Sequence, residues 1–244
     1  MTETYSASAD NVAISLAGVT FKWPRQPEPV LDIATLQIKQ GERVFISGPS
    51  GSGKTTLLNL LAGVTVPEFG RLQILDRCTT NMNGASRDRF RAQHIGLIFQ
   101  LFNLIAYLSV VENVVLPCWF APARLAKAQK RSGTVENEAL RLLGHLGLDD
   151  PDLLKRPVTA LSVGQQQRVA AARALIGEPE IAIADEPTSS LDADLREAFI
   201  QLLFAECDRQ KTTLVFVSHD RALAGLFDRS ISLPDINRAR PAKG

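Results

Sequence analysis

Short apolar runs and longer segments with helical periodicity alternate along most of the chain. Apolar runs bounded by polar residues are typical of buried strands, whereas apolar positions that recur every three to four residues indicate helices. The runs lie at residues 43–47, 95–99, 181–184, 214–217 and 230–233, and the helical segments at 54–62, 165–176, 193–209 and 221–227. Strands that alternate with helices predict an α/β fold with a mostly parallel sheet and helices on both faces.

The stretch between residues 101 and 161 has a different pattern. Strand-like runs disappear, and apolar residues recur on one face of a predicted helix. These residues are Val135, Ala139, Leu142, Leu143 and Leu146. Residues 123–131 are basic and expected to face solvent, and residues 149–157 form a turn-rich link. We therefore predict a helical lobe inserted into the α/β core.

The predicted organisation is a single domain with two tails. Residues 1–10 form a flexible N-terminal tail, residues 11–236 the domain, and residues 237–244 a basic C-terminal tail. Within the domain, the core is expected to comprise residues 11–100 and 162–236, and the helical lobe residues 101–161. Further strands are predicted at residues 12–16, 36–38 and 70–75.

A glycine-rich loop joins the strand at 43–47 to the helix at 54–62. The loop fits G-x-x-x-x-G-K-[ST] with Gly48, Pro49, Ser50, Gly51, Ser52, Gly53, Lys54 and Thr55, and Thr56 completes the predicted binding set. Glycines let backbone N–H groups curl toward a phosphate, and the start of the helix adds its positive end. Lys54 can reach the β- and γ-phosphates, and the Thr55 hydroxyl can ligate Mg²⁺. The alternative is a glycine- and serine-rich turn with a stray lysine, but this pattern arises by chance in only about one chain in a hundred of this size.

Composition narrows the classes of function. The chain has 244 residues, 45% of them hydrophobic, which suffices for one compact domain with a core. A net charge of +1 and a pI near 7.7 exclude the global basic field typical of nucleic-acid binding. Cys78, Cys118 and Cys207 are scattered, which indicates a reducing compartment without a disulfide framework. The polar N-terminus lacks a secretory-signal pattern, and the sequence has no run of about 20 apolar residues that could span a membrane.

The apolar run at 181–184 ends in two acidic residues. Downstream of a phosphate loop, this is the Walker B arrangement, in which Asp185 would hold Mg²⁺ directly or through water. Glu186 follows it and would polarise an attacking water. A buried strand ending in Asp-Glu can also be a plain solvated strand end, but the phosphate loop upstream favours the catalytic interpretation.

Residues 161–165 read LSVGQ and are followed by the alanine-rich segment QQRVAAARAL. Ser162, Gly164 and Gln165 ahead of this helix resemble the signature motif of ABC-transporter ATPases. In that family the motif faces the γ-phosphate bound by the other subunit, so the resemblance implies two chains that close around two ATP molecules. A helix start capped by Ser162 is the simpler interpretation, and the two are compatible. The family's first signature glycine is Val163 here, which restricts the backbone of the turn.

Other positions match the same family in chain order. Gln100 matches the glutamine that senses the γ-phosphate and Mg²⁺, and residues 189–192 resemble the D-loop, which ends at Asp192. His219 follows a strand, as does the family's switch histidine that contacts the γ-phosphate, although a lone histidine is more often structural. Trp23 lies where the family places an aromatic residue that stacks on adenine, with Phe21 as the alternative.

The resemblance covers residues 12–233 and implies a P-loop NTPase with the ABC ATPase fold. That fold has a RecA-like core, an antiparallel β subdomain and an inserted α-helical lobe. The resemblance also implies ATP hydrolysis, with ATP and Mg²⁺ as cofactors.

Because no membrane span is predicted, a transporter role requires separate permease subunits. In this family, the region of residues 100–119 receives the permease's coupling helix. Five of its residues, expected to be exposed, would form a hydrophobic socket: Leu101, Phe102, Leu104, Ile105 and Tyr107. The alternative is that they form ordinary core of the helical lobe.

The segment FQLFNLIAYLSVVENV is most similar to the lipoprotein-release and macrolide-efflux branch of the family. This similarity implies a homodimer at the cytoplasmic face of the inner membrane and a permease with large extracytoplasmic domains; the cargo stays open. A soluble or division-associated ATPase switch without cargo is the alternative. A DNA-repair ATPase of related fold would need a long coiled-coil insert, and a translation factor would carry two ATPase domains.

Overall fold

The computed structural model of this chain describes residues 11–154, 156–189 and 191–239. In chain order, its strands are β1 (Val12–Phe21), β2 (Leu31–Lys39), β3 (Arg43–Ser47), β4 (Phe69–Ile74), β5 (Arg77–Cys78), β6 (Ile95–Ile98), β7 (Ile181–Asp185), β8 (Thr213–Val217) and β9 (Arg229–Ser232). Its α-helices are α1 (Lys54–Leu61), α2 (Gly84–His94), α3 (Val110–Phe120), α4 (Pro122–Ser132), α5 (Val135–His145), α6 (Pro151–Leu154), α7 (Val163–Leu175), α8 (Ala193–Gln210) and α9 (Leu233–Ile236).

The strands form two sheets of different kinds. The central sheet is parallel, with strand order β6-β7-β8-β3-β9. Its strands β3 and β8 are buried along nearly their whole length, which explains why they read as continuous apolar runs. The second sheet is antiparallel, with order β2-β1-β4-β5. The prediction of an α/β fold with a parallel core and an antiparallel subdomain is confirmed.

The parallel sheet separates two hydrophobic cores. Val44 and Ile46 of β3 belong to the core shared with the antiparallel sheet and α1, whereas Phe45 belongs to the core shared with α3, α5, α7 and α8. Successive side chains of a strand point to opposite faces, so β3 is anchored on both sides. The Phe45 ring packs on Phe216 and Phe227, at centroid distances of 6.2 and 5.2 Å. The phosphate loop therefore continues from a rigidly held strand.

The helical lobe contains α3 to α6, and its basic helix α4 is less exposed than predicted. The expectation that residues 123–131 face solvent is wrong at Arg124, which is only 2% exposed. Its guanidinium donates to Ile176 O at 2.8 Å and to Ala174 O at 2.7 Å, carbonyls at the end of α7 that have no partner within the helix. Burial lowers the pKa of Arg124 to about 10. Gly177 allows this close approach, because a Cβ there would lie 2.5 Å from Arg124 Cβ.

The C-terminal segment packs against the domain up to a later residue than predicted. Residues 1–10 and 240–244, which include most of the two expected tails, lie outside the described residues. Asn237, however, accepts a hydrogen bond from Asp32 N at 2.8 Å and donates to Ser52 O, in the phosphate loop, at 3.4 Å. The predicted start of the tail at residue 237 is therefore too early, because this side chain joins β2 to the loop.

Candidate nucleotide-binding site

The loop between β3 and α1 has a shape that requires glycine. Gly51 and Gly53 have φ angles of 77° and 96°, in the left-handed region that side chains disfavour. A Cβ on Gly48 would lie 2.6 Å from Ser52 Oγ, and one on Gly53 would lie 2.9 Å from a methyl carbon of Leu31. The glycines at these three positions therefore let the backbone curl tightly above the end of β3.

The polar groups of the loop suit an anionic ligand. Helix α1 begins after Gly53 without a side-chain cap, so the N–H groups of its first turn are free to bind phosphate oxygens. Lys54 Nζ bends back over the loop and donates to Gly48 O at 2.7 Å and Pro49 O at 3.0 Å. Ser52 Oγ is buried and has no hydrogen-bond partner among the described residues. N–H donors and the Lys54 ammonium thus line a cradle, which side chains at the glycine positions would fill. This cradle suits the phosphates of a nucleotide.

Asp185 ends β7 and faces the start of α1. Burial raises its pKa, and the Glu186 carboxylate adds to the rise, while the Lys54 ammonium and a hydrogen bond from the Thr55 hydroxyl oppose it. Helix α1 packs against β7, which has Asp185 as its last residue, so the Asp185 carboxylate and the start of α1 lie at the same end of the sheet. A hydroxyl and a carboxylate beside a phosphate cradle suit Mg²⁺, which takes few protein ligands and completes its shell with phosphates and water.

Glu186 leaves β7 in a left-handed conformation, with φ of 47°. Its N–H donates to Val217 O at 2.9 Å, so the backbone bond to the end of β8 stabilises this conformation. Its carboxylate accepts a hydrogen bond from Ser218 Oγ at 3.2 Å and lies 2.8 Å from His219 Nδ1. The carboxylate is largely buried, whereas the imidazole is mostly exposed. Glu186 is thus a fixed acceptor whose two partners, Ser218 and His219, line a cleft of about 520 Å³.

Gln100 lies close after the end of β6, and its side chain is exposed. Strand β6 pairs in parallel with β7, with Ile98 opposite Ala184. The carboxyl ends of β6, β7, β8 and β3 therefore bring Gln100, the two acids, His219 and the phosphate loop to one edge of the sheet. This is where parallel α/β sheets bind their ligands.

The two candidate adenine-stacking residues differ in burial. Phe21 is 6% exposed and belongs to the core below the antiparallel sheet, so its ring has no free face for a base. Trp23 is half-buried and contacts Phe21 edge-on, with centroids 4.9 Å apart. Its Nε1 lies 3.3 Å from Thr56 Oγ1, to which it donates. Of the two aromatic residues, Trp23 therefore lies beside the phosphate loop and has exposed ring surface on which a base could stack.

The segment around Ser162 forms a helix start. Ser162 Oγ accepts a hydrogen bond from Gln165 N at 3.3 Å, and Gln165 Oε1 accepts one from Ser162 N at 2.9 Å, which is a capping box. Val163 is the first residue of α7 and is exposed, so this β-branched residue occupies an ordinary helical position. A Cβ on Gly164 would meet only Leu191, at 3.7 Å. Nothing within the described part of a single chain therefore requires glycine at this position.

The D-loop candidate is described only in part. Asp192 caps α8 by accepting a hydrogen bond from Leu195 N at 2.9 Å, and its side chain is exposed. Ser190 lies outside the described residues. Among the hydrogen bonds of the described residues, none joins residues 162–165 or Asp192 to residues 48–56.

The expected hydrophobic socket is only partly exposed. Leu101 and Tyr107 are 83% and 87% exposed, but Phe102 is 8% exposed and packs into the core of the helical lobe, so its predicted exposure is wrong. Leu104 and Ile105 are half-buried. Phe120 at the end of α3 is also exposed and borders a groove of about 340 Å³ next to this segment. The Phe102 side chain points inward because the chain reverses direction after Leu101, where Phe102 N donates to Phe99 O and Asn103 N donates to Leu101 O.

Two residues that the sequence analysis did not single out contribute to the site. Ser218 binds Glu186, and its position between an apolar strand and His219 is a signal that could have identified it. Arg173 is a buried arginine of α7 that contacts the segment after Gln100. A charged residue within the otherwise apolar half of a helix is the corresponding signal.

Within the part of the chain that the structure describes, no helix combines the length and apolar character needed to cross a bilayer.

The comparisons of this chain with known proteins agree with one another. A family model described as ABC transporter matches residues 31–189. The lipoprotein-releasing system ATP-binding protein LolD of Bacteroides fragilis is 39% identical over 208 residues, which cover 85% of this chain and 92% of that protein. The macrolide export ATP-binding/permease protein MacB of Photorhabdus laumondii is 37% identical over 227 residues, 92% of this chain but only 34% of that protein.

A solved structure has a similar fold over nearly the whole chain. It is the dimeric structure of a post-hydrolysis state of the ATP-binding cassette MJ0796 bound to ADP and Pi. The two chains are 35% identical with a TM-score of 0.77, and the match covers 95% of this chain and 99% of that one.

Proposed function

This chain belongs to the ABC transporter family, as its signature residues predicted, and we propose that it is the ATP-hydrolysing subunit that drives a separate membrane permease. One observation carries the proposal. The glycine-rich cradle with Lys54, the Asp185–Glu186 pair and His219 converge on the carboxyl edge of one parallel sheet. Phosphate binding and activation of water need these groups at adjacent positions.

Nucleotide binding rests on the loop and on α1. The backbone of residues 48–53 and the first turn of α1 donate to the phosphates, and Lys54 moves its ammonium from the loop carbonyls to the β- and γ-phosphate oxygens. Trp23 stacks on adenine, which its position beside Thr56 supports. Thr55, Asp185 and Gln100 would hold Mg²⁺, which would supply positive charge to the phosphates when bound.

Hydrolysis rests on Glu186. Its carboxylate accepts a proton from the attacking water and orients that water in line with the γ-phosphate. Ser218 and His219 hold the carboxylate in place, and His219 is exposed enough to contact the γ-phosphate as well. Gln100 approaches the same point from the end of β6.

A second copy of the chain completes each site. Ser162, Gly164 and Gln165 face the nucleotide of the partner subunit, and Asp192 lies at the same interface. The absence of a side chain at Gly164 supports this proposal, because the packing of the described residues of one chain does not require it. The similar cassette MJ0796 is a dimer in its solved structure, which also supports it.

The partner in the membrane is a permease that docks beside the Gln100 segment. Phe99, Pro117 and Phe120 line the groove, and Leu101 and Tyr107 are exposed on the adjoining segment. Together they offer apolar surface that a short permease helix would cover. The similarity to a lipoprotein-releasing system ATP-binding protein and to a macrolide export ATP-binding/permease protein supports a permease as partner. We propose that this permease has large extracytoplasmic domains and that the chain binds it at the cytoplasmic face of the inner membrane.

Co-purification tests this proposal. Tagged Glu186→Gln protein, which should bind ATP without hydrolysing it, is isolated with ATP from detergent-solubilised membranes, and attached proteins are identified by mass spectrometry. Lys54→Ala, which should not bind ATP, is the matched control. We expect a permease with few spans and a large extracytoplasmic domain. A permease with many spans would contradict the branch assignment, and recovery from the cytosol without a membrane protein would leave an ATP-driven switch without cargo.

A further inference from the structure

Two buried arginines lie at the C-terminal half of α7, and their guanidinium groups bind different parts of the chain. Arg124 comes from α4 and donates to carbonyls at the end of α7 itself. Arg173 belongs to α7 and is 8% exposed. Its Nη1 donates to Asn103 O at 2.7 Å, and its Nη2 donates to Phe102 O. Arg173 therefore links α7 to the turn that follows Gln100.

This turn has an unusual backbone. Phe102 and Asn103 are consecutive non-glycine residues in the left-handed region, with φ angles of 59° and 50°. Asparagine tolerates this conformation, whereas a large aromatic residue rarely adopts it. Hydrogen bonds from Phe102 N to Phe99 O at 2.9 Å and from Asn103 N to Leu101 O at 2.6 Å close the turn. Strained backbone of this kind persists only where its surroundings hold it, and it is concentrated at functional sites.

The chemistry of arginine suits this task. A guanidinium presents several donors in a fixed plane, so one side chain can bind two successive carbonyls, which a lysine ammonium does less rigidly. Burial lowers the pKa of Arg173, but an arginine stays protonated in proteins. A buried charge is costly unless it is hydrogen-bonded, so the turn and the arginine stabilise each other.

We propose that Arg173 is a positioning residue for ATP hydrolysis, which fixes Gln100 relative to the helix that begins at the signature motif. It acts through the carbonyls of Phe102 and Asn103 and makes no contact with nucleotide itself. Ser162 caps the start of α7, and Arg173 lies in its last turn. Because a helix is rigid over this length, a displacement of Ser162 by the partner subunit's nucleotide reaches Gln100 through Arg173. The inference rests on the proposed role of Gln100 at the nucleotide.

A double-mutant cycle tests this proposal. Arg173→Met is measured alone and together with Gln100→Ala, with kcat for Mg-ATP and the Kd for ATP as readouts. A misplacement of about 1 Å can cost up to 10²-fold in rate, so we expect about a 10-fold lower kcat, with Kd changed by less than about twofold. In the Gln100→Ala background, Arg173→Met should cause no further loss, because the residue it positions is already absent. Arg173→Lys should restore part of kcat.

Arg124→Met is the matched control, because it also removes a buried arginine that donates to main-chain carbonyls. For Arg124 these carbonyls are at the end of α7 and not in the turn after Gln100. We expect a lowered Tm in both Met variants but a lowered kcat only for Arg173→Met. The proposal is overturned if Arg173→Met lowers kcat in the Gln100→Ala background by the same factor as in the wild type. It is also overturned if Arg124→Met lowers kcat as much as Arg173→Met does, or if Arg173→Met keeps the full wild-type kcat. If Arg173→Met does not fold, the same cycle is run with Arg173→Lys, with a smaller loss expected.

Hydrogen exchange separates this inference from the proposed function. In Arg173→Met, but not in Arg124→Met, amides in a peptide covering residues 101–108 should exchange faster, because the turn has lost its tether. Unchanged exchange would overturn the inference whatever the ATPase result. A wild-type chain that hydrolyses no ATP would instead overturn the proposed function, and exchange would still decide whether Arg173 holds the turn.

Discussion

The carboxyl edge of the parallel sheet and the turn after Gln100 are held in place by different interactions. At the sheet edge, Asp185 ends a strand, and Glu186 is fixed by a main-chain bond to Val217. In the turn, the backbone between β6 and α3 is fixed by side chains, mainly Arg173 and Asn113. The residues proposed to perform chemistry are thus held by main-chain hydrogen bonds of the parallel sheet, whereas the turn after Gln100 depends on a few side-chain hydrogen bonds.

The first prediction addresses the rigid region. Lys54→Ala removes the cation of the phosphate cradle and should weaken ATP binding by about 100-fold or more, with loss of turnover, because charge-assisted hydrogen bonds contribute about 1.5–3 kcal/mol each. Titration of the purified chain with ATP measures the change. Lys39→Ala, at the exposed end of β2, is the control and should bind normally. Near-normal binding by Lys54→Ala would contradict the assigned role of the loop.

The second prediction separates chemistry from binding at the same edge. Glu186→Gln keeps the shape and the contacts with Ser218 but removes the base, so kcat should fall by about 10²-fold or more while ATP binding persists. Steady-state turnover and equilibrium binding measure the two effects. Glu136→Gln, exposed on α5, should behave like the wild type. Turnover within a few-fold of the wild type would exclude Glu186 as the base.

The third prediction addresses the tethered region. Asn113 is fully buried, accepts a hydrogen bond from Ile105 N at 2.8 Å and donates to three carbonyls of residues 105–109. Asn113→Ala should lower the free energy of unfolding by about 2–4 kcal/mol, because several main-chain groups lose their partner. Chemical denaturation measures the loss. Asn137→Ala, on the exposed start of α5, should cost less than about 0.5 kcal/mol. Equal effects would show that Asn113 is not a tether.

The smallest effect is expected at the signature turn. Val163 occupies the first turn of α7 with its side chain exposed, so valine fits this helical position without straining the backbone. Val163→Gly should therefore change ATP turnover by less than about twofold and lower Tm only slightly. An ATPase assay of the dimer at saturating ATP measures this effect. A turnover increase of tenfold would show that valine hinders the contact with the partner's nucleotide.

The sequence by itself determined the parallel sheet, the phosphate loop and the order of the family motifs. Buried parallel strands must be continuous apolar runs, and a phosphate cradle needs glycines at fixed spacing, so both are visible in a linear chain. For the same reason, the predicted strand at 43–47 coincides with the observed β3. The capping box of Ser162 and Gln165 likewise follows from local spacing.

Only the tertiary structure decided which side chains are buried where the chain folds back on itself. Phe102 turns inward and Arg124 is covered by the end of α7, although both lie in segments whose local pattern indicated exposure. Asn237 reaches back to the phosphate loop across 185 positions of the sequence. Local periodicity cannot report these contacts, because the partners are distant in sequence and the hydrogen bonds are made to main-chain groups, which every residue carries.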